Sequence, residues 1–312
     1  MHTRSHRTQT TISVAVLLLA TTITSRAATG QQGARGTRDW SVVDQAFGRK
    51  GAVQPGGVMK YSFPRSDLQV TADGVQLKPA LALGGWVALK DIGSGRAMAM
   101  GDLVLTEDEA GPVMRALQQG DVQQTALHNH VLHESPRVMY MHIEAQGDPV
   151  KIARTIRSAL EQSKTPLAAP AAAAPATPLD LDTAAVARAL HVTGKVSGGV
   201  YQVSVPRRET IRENGHEIPP SMGVATGINF QPTGGGKAAI TGDFVMRASE
   251  VNAVIRALQQ SGIEVTALHS HMLDEEPRLF FMHFWANDDA VKLAQGLRGA
   301  LDRMAVKRTA AK

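Results

Sequence analysis

The sequence predicts an α+β protein made of two tandem copies of one antiparallel or mixed β-sheet domain, with helices packed on one face of each sheet. A repeated segment is the first observation behind this prediction, because TALHNHVLHESPRVMYMH at 125–142 returns without a gap as TALHSHMLDEEPRLFFMH at 266–283. The second is the order of elements in each copy, in which β-type runs bounded by Gly, Pro and Asn turns alternate with amphipathic helical runs. That order, βαββα with short connections, favours a sheet covered by helices.

The second copy shows the elements most clearly. Its helix at 249–261 places Val251, Val254 and Leu258 at helical spacing on one face. A short helix opens each copy, at about 40–48 and 182–190. The remaining predicted elements are strands at 199–205, 222–230, 238–246, 263–273 and 278–286 and a final helix at about 288–304.

The repeat sets the domain boundaries. The matching positions predict a first repeat domain at 40–162 and a second at 180–306. The tract between them, 163–179, is rich in Ala and Pro, a composition typical of a semi-rigid linker with extended conformations. Sequence alone does not predict how the two domains pack or which oligomer they form.

The N-terminus predicts export. Arg4 and Arg7 precede an apolar run at 12–23, and small residues follow at a position that a signal peptidase recognises. We therefore expect residues 1–28 to be a signal peptide and the mature protein to be periplasmic or secreted. The apolar run is shorter than the roughly 20 residues of a spanning helix, so we expect no stable membrane span after cleavage.

Composition excludes several classes of protein. Of the 312 residues, 43% are hydrophobic and 20% charged, which is the composition of a globular chain and not of a disordered one. The chain has no cysteine, so disulfides, thiolate ligands and a lipid-bearing cysteine are excluded. Its net charge of +5 comes from scattered Lys and Arg, and no basic face for a nucleic acid is expected.

Histidines concentrate in the repeated segments. Residues i and i+2 of a strand point to the same face, so His128 and His130 share a face. We expect the following strand to return antiparallel with His142 opposite His128, which brings three imidazoles together. The same register in the second copy gathers an equivalent triad, namely His269, His271 and His283.

Three neutral imidazoles on a rigid sheet are a common ligand set for zinc with one coordination position left open. In local geometry the arrangement resembles the His-x-His plus His site of the α-type carbonic anhydrases. The pattern therefore predicts a divalent metal, zinc in the first place, at two similar sites. Two alternatives stay open: a metal-free polar or catalytic pocket, and a structural histidine network.

Three further pairs of residues recur at equivalent positions: Asp102 and Asp243, Glu134 and Glu275, and Arg137 and Arg278. The aspartates are candidates to orient a ligand imidazole or to complete the coordination. The glutamates are candidate catalytic general bases, and the arginines candidate anchors for an anionic ligand. Each pair also has a simpler interpretation, as turn or surface residues.

Residues 267–302, ALHSHMLDEEPRLFFMHFWANDDAVKLAQGLRGALD, resemble the signature of the LppY/LpqO-type domains, which are exported bacterial proteins. The resemblance covers both repeats and implies an extracytoplasmic location. Some members are lipoproteins, and this chain lacks the cysteine they need. The resemblance implies no reaction and no catalytic residue.

Three functions remain in contention at the level of sequence. The first is an exported metal-binding protein with duplicated His-x-His…His sites and zinc-type hydrolytic chemistry. The second is a non-enzymatic module that binds a small molecule or a cell-envelope glycan. The third is a structural envelope protein. No Ser-His-Asp triad is recognisable, because neither Ser135 nor Ser270 lies in a nucleophile elbow.

Overall fold

The computed structural model describes residues 38–168 and 178–307. The predicted signal peptide and most of the Ala/Pro tract lie outside these residues. The elements of the first repeat are α1 (Ser41–Phe47), β1 (Ala52–Gln54), β2 (Val58–Pro64), β3 (Thr71–Ala72), β4 (Val75–Gln76), β5 (Gly84–Gly93), β6 (Arg96–Thr106), α2 (Glu107–Gln119), β7 (Gln123–His128), β8 (Glu134–Ser135), β9 (Val138–Gly147) and α3 (Pro149–Leu160).

The second repeat has the same order of elements, except that a 3-10 turn precedes its long hairpin and the counterpart of β8 is a single bridge. Its elements are α4 (Thr183–Leu190), β10 (Lys195–Ser197), β11 (Val200–Pro206), β12 (Ile211–Glu213), β13 (His216–Ile218), the 3-10 turn Pro220–Met222, β14 (Ala225–Gly234), β15 (Lys237–Met246), α5 (Ala248–Gln260), β16 (Glu264–His269), β17 (Phe280–Asp289) and α6 (Ala290–Leu301).

Each repeat builds a six-stranded sheet with the same strand order. The first sheet runs β1-β2-β5-β6-β9-β7 and the second β10-β11-β14-β15-β17-β16. All the pairings in these two sheets are antiparallel. Glycines with positive φ, such as Gly93 and Gly95, close the long hairpins, where other residues would be strained. The predicted α+β class with two copies of one domain is confirmed.

The helices of each repeat cover one face of its sheet. In the first repeat Val113 and Leu117 of α2 and Ile156 of α3 pack on Leu103 and Leu105 of β6. The equivalent helices of the second repeat pack on its sheet in the same way. Side chains alternate along a strand, so the residues at the alternate positions of β6, including Asp102 and Val104, point to the opposite face.

The opposite faces of the two sheets pack against each other. Two apolar clusters contain residues of both repeats, with Met98 and Met100 beside Phe281 in one and Val104 beside Trp285 in the other. The chain is therefore layered helix, sheet, sheet, helix, and the described residues from 38 onward belong to one compact unit. Polar side chains on the inner faces are enclosed between the sheets.

A buried ion pair fastens each repeat internally. The Arg65 guanidinium is fully buried and donates hydrogen bonds to Glu109 at 2.6 Å and to the Val104 carbonyl at 2.9 Å. Arg207 makes the equivalent bonds to Glu250 and to the Val245 carbonyl, both at 2.7 Å. These bonds tie the start of the long helix to the end of the sheet in both repeats.

A small hairpin of each repeat reaches the other repeat. Asp73, between β3 and β4, accepts a hydrogen bond from the Trp285 indole at 2.9 Å. The counterpart of that contact involves Glu213 at the end of β12, whose carboxyl group meets that of Glu144 on β9. Both glutamates are buried, and burial raises the pKa of each carboxyl group. The neighbouring Glu144 raises the pKa of Glu213 further, to about 8.

We predict that Arg65→Met lowers the free energy of unfolding by about 3–5 kcal/mol, because it leaves the Glu109 carboxylate buried without its partner. Denaturant unfolding monitored by circular dichroism measures the loss. The exposed Arg137→Met is the matched control and should change stability by less than about 0.5 kcal/mol. Stability loss of similar size in both variants would contradict a structural role for the buried pair.

We predict that Glu213→Gln makes thermal stability less sensitive to a rise in pH from 5 to 8. A raised carboxyl pKa means that the folded protein holds a proton that the unfolded chain releases, so stability falls as pH rises above the ordinary carboxyl pKa. Glutamine does not titrate, so the melting temperature of the variant minus that of the wild type should increase from pH 5 to pH 8. A difference that does not grow with pH, or that grows no more than in the exposed Glu264→Gln control, would contradict a proton held by Glu213 in the folded protein.

Candidate metal centre

The two predicted histidine triads meet in one place between the sheets. The ring centroids of His128 and His269 lie 3.6 Å apart. Two further pairs cross between the repeats, at 3.8 Å for His130 with His283 and 3.7 Å for His142 with His271. The first pair joins equivalent residues of the two repeats, and the other two pairs are exchanged with each other under the internal repeat, which is the arrangement of a pseudo-twofold axis. We call the six rings the histidine cluster.

The predicted strand register is wrong by two residues. His128 lies opposite Tyr140, and His142 lies opposite Ala126. The pairing shifts by one residue at a bulge at Thr125, and the second repeat has the same irregularity. The two-residue difference at His128 arises in the connection, because β7 ends at His128 and β8 pairs with β3 instead of continuing the hairpin. Because the shift is an even number of residues, His128 and His142 still point to the same face, while His130 follows the end of β7.

Residues at the bulge form hydrogen bonds between the two repeats. Thr125 Oγ1 donates to the His271 carbonyl at 2.5 Å, and Thr266 Oγ1 donates to the His130 carbonyl at 2.6 Å. Asn129 adds a bond from its side-chain amide to the Thr266 carbonyl at 3.1 Å. The backbone that carries each His-x-His segment is therefore fixed by the opposite repeat.

The Nε2 atoms of all six rings are buried and have no hydrogen-bond partner among the described residues. Several rings are oriented through a backbone carbonyl instead: His283 Nδ1 lies 2.7 Å from the Gly242 oxygen and His128 Nδ1 2.9 Å from the Asn129 oxygen. His142 and His271 are likewise bonded to backbone, at Gly101 and Gly223. A neutral ring that donates from Nδ1 keeps its lone pair on Nε2, the form that ligates metals.

Burial keeps the imidazoles neutral. It lowers the pKa of His128 and of His283 to about 4, against a weaker opposing contribution from Asn129 in the first case and Asp243 in the second. Burial, reinforced by the neighbouring rings, lowers the pKa of the other four histidines as well. Metal ions compete with protons for imidazole, so neutral rings are the binding form.

The two predicted aspartates lie beside the histidine cluster. Asp102 is paired in register with His142, and Asp243 with His283. Asp243 Oδ2 is 3.1 Å from His271 Nε2, and Asp102 Oδ2 is 3.7 Å from His130 Nε2. Burial and the charge of Asp243 raise the pKa of Asp102 to about 8, and burial raises that of Asp243 to about 6.

Four groups of these side chains have candidate ligand atoms within 4.8 Å of one another. Two groups are equivalent under the repeat, and we call them the Asp-His-His sets. They are Asp102 with His130 and His142, and Asp243 with His271 and His283. The other two groups combine both repeats and include His128. The side chains at the centre are therefore able to hold a metal ion.

The predicted general bases lie in the connections after β7 and β16. Glu134 Oε1 accepts the Val138 amide at 3.0 Å, and Glu275 Oε1 accepts the Leu279 amide at 2.8 Å. Burial raises the pKa of Glu134 to about 7, and Glu275 is also buried, so neither is an exposed turn residue. Each glutamate stabilises its connection through this hydrogen bond. Neither glutamate belongs to the four groups of candidate ligands. A role as general base stays a prediction.

The two predicted arginines do not reach the histidine cluster. Arg137 is exposed and lies 3.8 Å from Glu107. Arg278 donates to the Leu273 carbonyl at 2.9 Å and to Glu275 at 3.1 Å. His133, the remaining histidine of the repeated segment, is exposed on the connection.

A cleft of about 1350 Å³ is lined by residues of both repeats and by both Asp-His-His sets. Polar and small side chains of β2 and β11 form part of its walls, namely Lys60 and Ser62 on β2 and Gln202 and Ser204 on β11. His128 and His269 do not line it. The cleft therefore connects the Asp-His-His sets, and not the central ring pair, to the outside.

Sequence reasoning missed several residues at the centre. Tyr140 stacks on His130 with ring centroids 3.3 Å apart, and Phe281 stacks on His271 at 3.5 Å. The repeated Thr125 and Thr266 were visible in the matching segments, although nothing marked them as contacts between repeats. Lys60 of the cleft carried no signal, because its counterpart in the second repeat is Gln202.

Comparisons with solved structures give only distant likenesses. The trimeric bacterial microcompartment shell protein PduB is 14% identical over 80% of this chain and 88% of its own, with a TM-score of 0.18. EtuB from Clostridium kluyveri is 9% identical over 81% of this chain and 91% of its own, with a TM-score of 0.19. At these TM-scores the likenesses support no conclusion. No curated protein matches the sequence at a significant level.

A family model matches the chain twice. It is described as Domain of Unknown Function (DUF1259), and it covers residues 41–162 and 184–303. Those spans coincide with the two sheets and their helices, and each contributes one half of the histidine cluster. The chain therefore belongs to the DUF1259 family and contains two tandem copies of its domain.

Proposed function

We propose that this protein binds divalent metal ions, zinc in the first place, in the Asp-His-His sets. The observation that carries the proposal is that the four Nε2 atoms of these sets are buried and have no hydrogen-bond partner among the described residues. Leaving a polar atom buried without a partner costs about 1–3 kcal/mol, and a coordinated ion removes that cost. Proteins rarely retain such a group of polar atoms unless something satisfies it.

The donor types suit the proposal. Two imidazoles and a carboxylate are a common protein ligand set for catalytic zinc, and they leave coordination positions open. The same donors also accept iron(II) and other transition metals, so the identity of the ion is a matter for measurement. Each Asp-His-His set lines the cleft, where an open position is accessible to a ligand.

The proposed chemistry is hydrolytic. A zinc ion supplies Lewis acidity and makes water a stronger nucleophile near neutral pH. The residues of this chain supply the rest: the backbone carbonyls of Gly101 and Gly242 orient two imidazoles, and the two sheets exclude water from the back of the centre. The cleft admits a substrate from the other side.

The proposed setting is extracytoplasmic. Residues 1–28 have the pattern of a signal peptide, and the resemblance of 267–302 to LppY/LpqO-type domains supports a periplasmic or secreted protein. In the described part of the chain no helix is both long and apolar enough to cross a membrane.

A second candidate function is binding without catalysis. The size of the cleft favours it, because about 1350 Å³ is more than a metal ion and a small substrate require. Trp86 lines the cleft and offers an aromatic surface for a small molecule or an envelope glycan. Under this proposal the metal ions orient the ligand and no bond is broken.

We predict two equivalents of one metal in untagged protein, measured by inductively coupled plasma mass spectrometry. His130 and His283 belong to different Asp-His-His sets and neither belongs to the four-histidine group. Each single alanine variant should therefore retain about one equivalent, and the double variant His130→Ala/His283→Ala should retain none. His133→Ala, at an exposed position, is the matched control and should retain both.

Two results would contradict this assignment. Metal-free wild-type protein, even after reconstitution with zinc, would remove the basis for metal binding. A double variant that keeps its full metal content would show that the ion is held by His128, His142, His269 and His271 and not by the Asp-His-His sets. Circular dichroism of each variant confirms that lost metal is not lost fold.

A further inference from the structure

An unpaired lysine lies in the cleft beside one Asp-His-His set. Lys60 is on β2, on the strand face that lines the cleft, and its side chain is mostly buried. Its ammonium nitrogen lies 3.9 Å from the centroid of the Trp86 ring. Among the described residues it makes no hydrogen bond and no ion pair within 4 Å, although the charge of Asp102 is close enough to influence it.

That position leaves the ammonium group open to the cleft and without a hydrogen-bond partner among the described residues. A single aromatic contact does not supply the charge-assisted hydrogen bonds that an ammonium group makes with an oxyanion. The charge of Asp102 favours the charged amine. If Asp102 coordinates a metal ion, its charge is taken up by that ion, and Lys60 remains free to bind an anion.

The second repeat has no such group. The position equivalent to Lys60 is Gln202, whose side-chain amide donates to the Ala80 carbonyl at 3.0 Å and is therefore satisfied within the protein. The position equivalent to Trp86 is Gly227, which has no side chain. Two similar sets of candidate ligands thus face a cleft whose walls differ, and the difference is one of charge and aromatic surface.

The Trp86 ring, which contacts the lysine, packs against the second repeat. A Cβ atom added at Gly223 would lie 2.9 Å from the tip of the Trp86 ring, so the indole is seated directly against that glycine. This contact fixes the ring, and the ring in turn limits where the Lys60 ammonium group lies. A fixed cation beside a metal centre is suited to a charged group of a ligand that also reaches the metal.

The other charges of the cleft favour an anion. Lys90 donates to the Glu217 carbonyl at 2.5 Å, and the exposed Lys195 also lines the wall. The acidic residues that line the cleft are Glu217 and the two aspartates of the Asp-His-His sets. With the aspartates engaged by metal, the described walls carry more positive than negative groups.

We propose that Lys60 binds an oxyanion, a phosphate or a carboxylate group, of the molecule that occupies the cleft, and that this group lies beside the metal centre. The inference deepens the proposed function by naming the substrate class, and it rests on that function for the metal but not for the lysine. Because only the first repeat has the lysine, a ligand binds with its anionic end toward that repeat.

The test is calorimetric titration of zinc-loaded, full-length protein with inorganic phosphate and, separately, with acetate. The anion that binds more tightly identifies which oxyanion the cleft prefers. Lys60→Gln installs the residue of the second repeat and should weaken binding of that anion at least tenfold while zinc content stays unchanged. Lys60→Arg keeps the charge and should retain most of the affinity. Lys151→Gln, an exposed lysine paired with Asp121, is the control and should bind as the wild type does.

Equal affinity in the wild type and Lys60→Gln overturns the inference, and so does the failure of both anions to bind the wild type. The same titrations on chelator-treated protein separate it from the proposed function. Anion binding that needs Lys60 in protein that takes up no zinc would sustain the inference while the metal proposal fails. Zinc uptake together with anion binding that does not depend on Lys60 would sustain the metal proposal and overturn the inference.

Discussion

The structure depends on a single constraint, which is that six imidazole rings are enclosed between two β-sheets with their Nε2 atoms unpaired. Apolar residues of both sheets pack beside the centre, with Phe281 stacked on His271, while the cleft reaches only the four rings of the Asp-His-His sets. At about 1–3 kcal/mol for each unsatisfied polar atom, the total is comparable with the whole stability of an ordinary domain. The packing of the sheets and the binding of a ligand at the histidine cluster are therefore coupled, and each favours the other.

The coupling also explains why the domain is duplicated within one chain. One copy alone would expose the inner face of its sheet, with the apolar residues and histidines on it. In the tandem protein that face is covered by the inner face of the other repeat. Thr125 and Thr266 fix the backbone of the opposite His-x-His segment. Joining the copies in one chain also lets them diverge, since Lys60 corresponds to Gln202 and Trp86 corresponds to Gly227. A symmetric centre in an asymmetric cleft is the result.

Sequence predicted much of this and failed at identifiable points. The 141-residue repeat located both domains, and the period of apolar residues located the helices and most strands. The histidines and the two aspartates were correctly grouped near one another because strand geometry places i and i+2 on one face. The register was wrong because β7 ends at His128 and the following β8 pairs with β3, a long-range pairing that leaves no mark in the local apolar pattern. The merging of two triads was not predictable, since the inner faces look like separate half-buried sheets until one covers the other. Lys60 had no lysine at the equivalent position of the second repeat and belonged to no motif, so no sequence pattern singled it out.

Anomalous diffraction from crystals grown with zinc, collected at the zinc absorption edge, tests the shared centre most directly. The account predicts two neighbouring peaks between the sheets, one about 2.0–2.1 Å from Nε2 atoms of His130 and His142 and the other at similar distances from His271 and His283. Peaks confined to exposed histidines such as His133 or His191, with none between the sheets, would contradict it.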